Sequence, residues 1–279
     1  MSLHCNAETK RQIELLRKQL PQGVLLHGVV GVGLYTIARH IAGADCAAVI
    51  QPTDVDGAVD MSAKGIIRLS QIHELQQMAR GKSTHRQVFI IDDAERMNHQ
   101  AQNALLKLLE EPNYSVHFIL TSHRTEGLLP TITSRVQQVA ILPLSDDDSA
   151  HFIASLKVAD VRKVQQLQFI ADGRPAELHR LIHDEAYFER ASQLVTDARQ
   201  LVGGTDADKV RTVAHYQSDK VRALALLESV RELTLFSLQR TSSRELIRML
   251  DTVVLTYERI AANGNVRLQL TRFAVGEHK

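Results

Sequence analysis

The stretch Val24-Leu25-Leu26-His27-Gly28-Val29-Val30-Gly31-Val32-Gly33-Leu34-Tyr35-Thr36 limits the fold more than any other part of this chain. It reads as a buried strand, a tight glycine loop and the start of a helix. A phosphate-binding loop of the form GxxxxGK[ST] needs Lys and then Ser or Thr after its last glycine. Here those positions hold Leu34 and Tyr35. Gly28, Gly31 and Gly33 allow close backbone approach to phosphates. Any tight strand-to-helix turn also favours glycine. Loss of the lysine removes a charge-assisted contact worth roughly 1.5–3 kcal/mol. Loss of the hydroxyl residue removes a Mg²⁺ ligand, and Thr36 stands one place too late to replace it without a register shift. Leu34 in the phosphate pocket is expected to disfavour a trianion by desolvation.

Downstream, apolar runs alternate with helical patterns. Residues 7–20 read as an amphipathic helix, 24–27 as a strand, 36–41 as the opening of a helix and 47–51 as a strand. Residues 66–80 carry apolar side chains at helical spacing. Residues 87–91 read as a strand, 98–111 as a helix stopped by Pro112, and 116–121 and 136–142 as strands. Strands alternating with helices imply βαβ units and a mainly parallel sheet. Uniformly apolar strands fit a sheet covered on both faces. Beyond Pro143 the pattern is helical to the end. Ser145-Asp146-Asp147-Asp148 is a capping box, and the acids are a cap and dipole partner rather than a metal site. Breaks are expected at Gly173-Arg174-Pro175, Gly203-Gly204 and Asn263-Gly264-Asn265. The layout is an α/β domain over 1–143, a small helical domain over 144–184 and a larger helical domain over 185–279.

Composition narrows the function classes. With 279 residues, 44% of them hydrophobic, the chain has ample material for several packed cores. A net charge of +1 argues against broad electrostatic binding of nucleic acid, and the lack of Trp argues against base-stacking platforms. Cys5 and Cys46 are too few for a four-thiolate zinc site and are expected to be reduced thiols. No apolar signal core or membrane-length run is present, so a cytoplasmic protein is expected. His179 and His183 share a helix face but lack a third ligand at a telling spacing.

Two further segments carry chemistry. In Val88-Phe89-Ile90-Ile91-Asp92-Asp93, an apolar strand ends in two acids. In an ATPase the first acid positions Mg²⁺ and the second polarises water. Asp93 stands where hydrolysing proteins usually have Glu, and it reaches one methylene less far. The alternative is a buried strand running into an acidic helix start. In Leu128-Leu129-Pro130-Thr131-Ile132-Thr133-Ser134-Arg135, Ser134 and Arg135 lie between two strands, where a guanidinium can reach a neighbouring subunit. An ordinary surface arginine is the alternative.

Taken in order, these segments resemble the AAA+ subunits of bacterial DNA polymerase clamp loaders. The likeness is carried by Asp92-Asp93-Ala94-Glu95-Arg96-Met97-Asn98, by Asn103-Ala104-Leu105-Leu106-Lys107-Leu108-Leu109-Glu110-Glu111-Pro112, and by Phe118-Ile119-Leu120-Thr121-Ser122 with Pro130-Thr131-Ile132-Thr133-Ser134-Arg135-Val136. These match the family's Walker B strand, its Asn-Ala-Leu-Leu-Lys and Leu-Glu-Glu-Pro signature, its sensor-1 strand and its Ser-Arg-Cys motif. Asn263-Gly264-Asn265 and Leu268 resemble a weaker motif near the family's collar.

The resemblance implies a RecA-like sheet domain, a helical lid and an all-α collar. Leu34 and Tyr35 point to the delta-prime type, which has a degraded loop. That type implies no ATP or Mg²⁺ of its own, or weak binding over Gly28, Gly31, Gly33, Thr36, Asp92 and Asp93. Arg135, with Ser134, would act in trans on a neighbour's ATP. Implied partners are gamma/tau and delta-type subunits, a sliding clamp and primed DNA. Arg174 matches the sensor-2 position but reads more simply as a surface residue at a helix start. Val136 replaces the motif cysteine, and the zinc module of many relatives is absent. The competing expectations are an active gamma-like ATPase using Thr36 and Asp92 with Mg²⁺, or a degenerate scaffold without a replication role.

Overall fold

A computed structural model describes residues 4–61, 64–80, 85–110, 115–156, 158, 160–241 and 243–276. Pro112, read above as a helix stop, lies outside the described residues, as does Glu111. The chain divides into two compact units, Met1–Arg180 and Leu181–Lys279.

The first unit is built on five strands. They are β1 (Gly23–His27), β2 (Cys46–Ile50), β3 (Gln87–Ile91), β4 (Val116–Ser122) and β5 (Gln137–Ala140). All pairs are parallel, in the order β2-β3-β4-β1-β5. The absence of polar alternation has the cause expected from the sequence, because successive residues enter different cores. Val24 and Leu26 face one cluster while Leu25 faces the other, and Val88 and Ile90 part from Phe89 and Ile91 in the same way.

Helices α1 (Ala7–Lys18) and α2 (Leu34–Ala42) supply Ile13, Leu16, Ile37 and Ile41 to the first cluster. Helices α3 (Leu69–Ala79), α4 (His99–Glu110) and α5 (Pro130–Thr133) supply Ile72, Leu75, Ala101, Leu105 and Ile132 to the second. The result is a three-layer sandwich with loops emerging from the carboxyl ends of the strands, where open α/β sheets bind ligands.

Two helix starts differ from the sequence reading. The periodicity beginning at Ile66 does not open a helix there. Ile66 bridges Thr53 and Ile67 bridges Met97, so both are held extended. The Arg68 amide donates to Gln71 Oε1 at 2.9 Å, and the Arg68 guanidinium reaches Thr53 Oγ1 at 2.7 Å, which delays the helix to Leu69. Helix α2 instead starts two residues early, at Leu34, because Gly33 takes φ 89° and turns the chain directly into it.

Helices α6 (Asp146–Ser155), α7 (Val161–Ala171) and α8 (Pro175–His183) follow. Ser145 caps α6 by accepting from the Asp148 amide at 3.1 Å, as its sequence predicts. Val136, at the motif-cysteine position, is 8% exposed and belongs to the second cluster.

Helices are the only regular elements among the described residues of the second unit. It comprises α9 (Glu185–Gly203), α10 (Asp206–Ala214), α11 (Lys220–Arg240), α12 (Arg244–Ala261) and α13 (Val266–Val275). Of the apolar stripe on α11, Leu227 and Val230 are fully buried and Phe236 is exposed. The Asn-Gly-Asn break has a local cause. Asn263 takes φ 67°, a Cβ on Gly264 would stand 2.5 Å from the Arg259 carbonyl oxygen, and Asn265 caps α13. Among the described residues no helix is long and apolar enough to cross a membrane. Cys5 and Cys46 are free thiols.

Candidate functional site

The glycine loop leaves β1 and enters α2, as its sequence predicts. Gly28 is there because of crowding: a Cβ would stand 2.5 Å from the Ile141 carbonyl oxygen. Gly31 and Gly33 are there because φ is 93° and 89°, a region that disfavours side chains.

The loop closes on groups of its own unit. The Gly31 carbonyl accepts from the Ala176 amide at 2.9 Å and the Glu177 amide at 3.3 Å. It thereby satisfies the amides at the start of α8, which every helix N-terminus leaves unpaired. The Gly28 carbonyl faces His123 Nδ1 at 2.9 Å.

Leu34 does not line the loop, contrary to the expectation above. It is 2% exposed and packs in the first cluster with Ile37, Ala38 and Ile41. The early start of α2 is the reason, since it places residue 34 on the core-facing stripe. The residue at the lysine position therefore adds to the core instead of shielding a phosphate. Tyr35 is 39% exposed, and the loop residues Val29 and Val30 are 53% and 65% exposed. Thr36 sits partly buried in the first turn of α2.

The acid pair after β3 is buried and engaged. Asp92 Oδ1 accepts from Thr121 Oγ1 at 2.7 Å, and Asp92 Oδ2 accepts from Gln51 Nε2 at 3.1 Å. Asp93 is held at φ 50° and faces Arg96 Nε at 3.3 Å and His123 Nε2 at 3.7 Å. Burial pushes its carboxyl above the usual range, helped by the charges of Asp92 and Glu95 and opposed by Arg96 and His123. A magnesium–triphosphate loop of this kind uses a lysine and then a serine or threonine after its last glycine. Leu34 and Tyr35 do not fit that pair, while each Asp92 oxygen keeps a lone pair beyond its one accepted hydrogen bond.

The Arg174 side chain lies against Gly31 of the loop, but its guanidinium is engaged by α7. Its Nε donates to the Ala171 carbonyl and its Nη2 to the Ile170 carbonyl, both at 2.8 Å, so it caps α7.

Arg135 stands on a different edge, just past α5. Ile132, fully buried, anchors this short helix. The Ser134 hydroxyl donates to the Thr131 carbonyl at 3.1 Å, and both Ser134 and Arg135 are exposed. Arg135 Nη1 donates to the Thr131 carbonyl at 3.2 Å, and Nη2 pairs with Glu110 Oε1 at 2.8 Å.

Three residues in this region were missed by sequence reasoning. Thr121 and His123 join β4 to the acid pair and the loop. Gln102, only 6% exposed, donates to the Met97 and Gly127 carbonyls and accepts from the Leu129 amide, pinning the approach to α5. A glutamine among the apolar positions of α4 was the available signal.

A five-stranded parallel sheet with a glycine loop after β1, an acid pair after β3 and an arginine after α5 defines the class: an AAA+ module of the RecA-like type. A solved DNA polymerase III gamma subunit-related protein from Thermotoga maritima shares the fold at TM-score 0.55 and 17% identity, covering 94% of this chain and 97% of that one. The family model described as DNA polymerase III, delta subunit, matches residues 7–145. A DNA polymerase III subunit delta-prime from Pseudomonas aeruginosa is 30% identical, over 67% of this chain and 63% of its own length. One from Bacillus subtilis is 39% identical, over 28% of this chain and 24% of its own. The chain thus spans less than two thirds of these curated relatives. It belongs to the family of bacterial DNA polymerase III clamp-loader subunits of the delta-prime type.

Proposed function

We propose that this chain is a clamp-loader subunit that does not hydrolyse ATP and that lends Arg135 to the ATP site of a neighbouring subunit. The observation that carries the first half is Leu34, which spends the lysine position on the core at 2% exposure. Tyr35, where the loop motif has a Mg²⁺-binding Ser or Thr, supports the same reading. The second half is supported by an exposed guanidinium on a short helix that a buried isoleucine holds in place.

On this reading ATP and Mg²⁺ belong to the neighbours. The partners are gamma/tau and delta-type subunits, a sliding clamp and primed DNA. Residues 144–184 act as the lid and residues 185–279 as the collar. Exposed Ile247, Leu255 and Leu268 on α12 and α13 suit helix packing between subunits. In the neighbour's site, the guanidinium would stabilise charge building on the transferring phosphoryl group, an effect worth about 10³–10⁵ in rate.

The test is a complex reconstituted with Arg135→Ala. Assembly should persist while turnover at the adjacent site collapses. Turnover equal to that of the unaltered complex would contradict the assignment.

A further inference from the structure

Arg135 does not extend into solvent unguided. Its Nη2 pairs with Glu110 Oε1 at 2.8 Å, and its Nη1 donates to the Thr131 carbonyl at 3.2 Å. Glu110 is the last described residue of α4.

The pair is open to water, with the two side chains 40% and 44% exposed. Such pairs contribute little to folding stability. Their effect is geometric: two contacts fix the plane of a fork that otherwise samples many rotamers. A guanidinium has five N–H donors. Two are used here, so three remain to meet an incoming phosphate while Glu110 keeps its hold.

We propose that Glu110 is a positioning residue for Arg135, presenting the guanidinium in an ordered pose so that it reaches a neighbour's phosphate without first being immobilised. The proposal rests on the reading of Arg135 as a trans-acting group. Ordering a long side chain on docking costs the equivalent of about a two- to tenfold change in an equilibrium or rate.

The experiment measures kcat and KM for ATP in the complete reconstituted complex, with clamp and primed DNA. Glu110→Ala removes the hold without disfavouring the helix. It should lower kcat by about two- to tenfold and leave KM and assembly unchanged. Glu110→Gln, which keeps an acceptor oxygen but loses the charge, should fall between Glu110→Ala and the unaltered protein. The double variant with Arg135→Ala should be no slower than Arg135→Ala alone, since Glu110 acts only through that side chain.

A normal kcat in Glu110→Ala, beside a collapsed one in Arg135→Ala, overturns the positioning role and leaves the trans-acting arginine standing. A further loss in the double variant also overturns it, because Glu110 would then act elsewhere. A normal kcat in Arg135→Ala overturns the underlying reading, and the positioning role falls with it.

Discussion

Two edges of one sheet domain have diverged. At the loop edge, Leu34 stands at the lysine position and lies in the core, the Gly31 carbonyl accepts from the first amides of α8, and Asp92 accepts from Gln51 and Thr121. At the arginine edge the polar end of Arg135 stays outward, and only its direction is constrained. On the reading proposed above, the scaffold keeps a motif's backbone path while its chemistry is reassigned. Glycines forced by crowding and positive φ persist because the turn needs them. The side chains between them are free to become core.

That comparison can be broken or sharpened by substitution. The largest effect is expected at the arginine edge, where Arg135→Ala should cost about 10³–10⁵ in turnover at the adjacent site, read by ATP hydrolysis of the complex. At the loop edge, Leu34→Lys should not restore nucleotide binding. It places an ammonium in an apolar cluster and removes a buried leucine, so denaturant unfolding should show a loss of about 3–5 kcal/mol. A stable Leu34→Lys protein that gains Mg²⁺-dependent ATP binding would erase the contrast.

Gly31→Ala should cost about 1–2 kcal/mol from its φ alone. The added Cβ would also press on Glu177 Cβ at 3.1 Å and Arg174 Cβ at 3.3 Å. Thermal unfolding measures that cost.

The smallest effect concerns Asp93. Its folded-state carboxyl titrates above the ordinary 3.8, so the folded protein binds the proton more tightly than the unfolded chain. Stability therefore declines as pH rises from near 3.8 through the folded value. Asp93→Asn should flatten that part of the stability–pH curve in urea unfolding. An unchanged curve would place the titration elsewhere.

Much of the sheet was legible because buried parallel strands have no polar alternation to confuse the reading. The cap at Ser145 was legible because capping is local, and the Asn263-Gly264-Asn265 break because its turn residues are. The start of α3 was not, since Ile66 and Ile67 are extended by partners in other segments, Thr53 and Met97. Leu34 was open to a better reading. Leu34, Ile37, Ala38 and Ile41 share helical spacing, and that stripe signals burial. The roles of Thr121 and His123 rest on contacts between residues far apart in the chain, and no local pattern carries them. Asp92 and Asp93 were legible as an acid pair, but their engagement by Gln51, Thr121, Arg96 and His123 was not.

The central claim is that this chain's own nucleotide cradle has become structure. Titrating the purified chain with Mg²⁺–ATP tests it most directly. The account predicts no saturable, Mg²⁺-dependent binding in the micromolar range. Micromolar binding that requires Mg²⁺ and disappears in Asp92→Asn would contradict it.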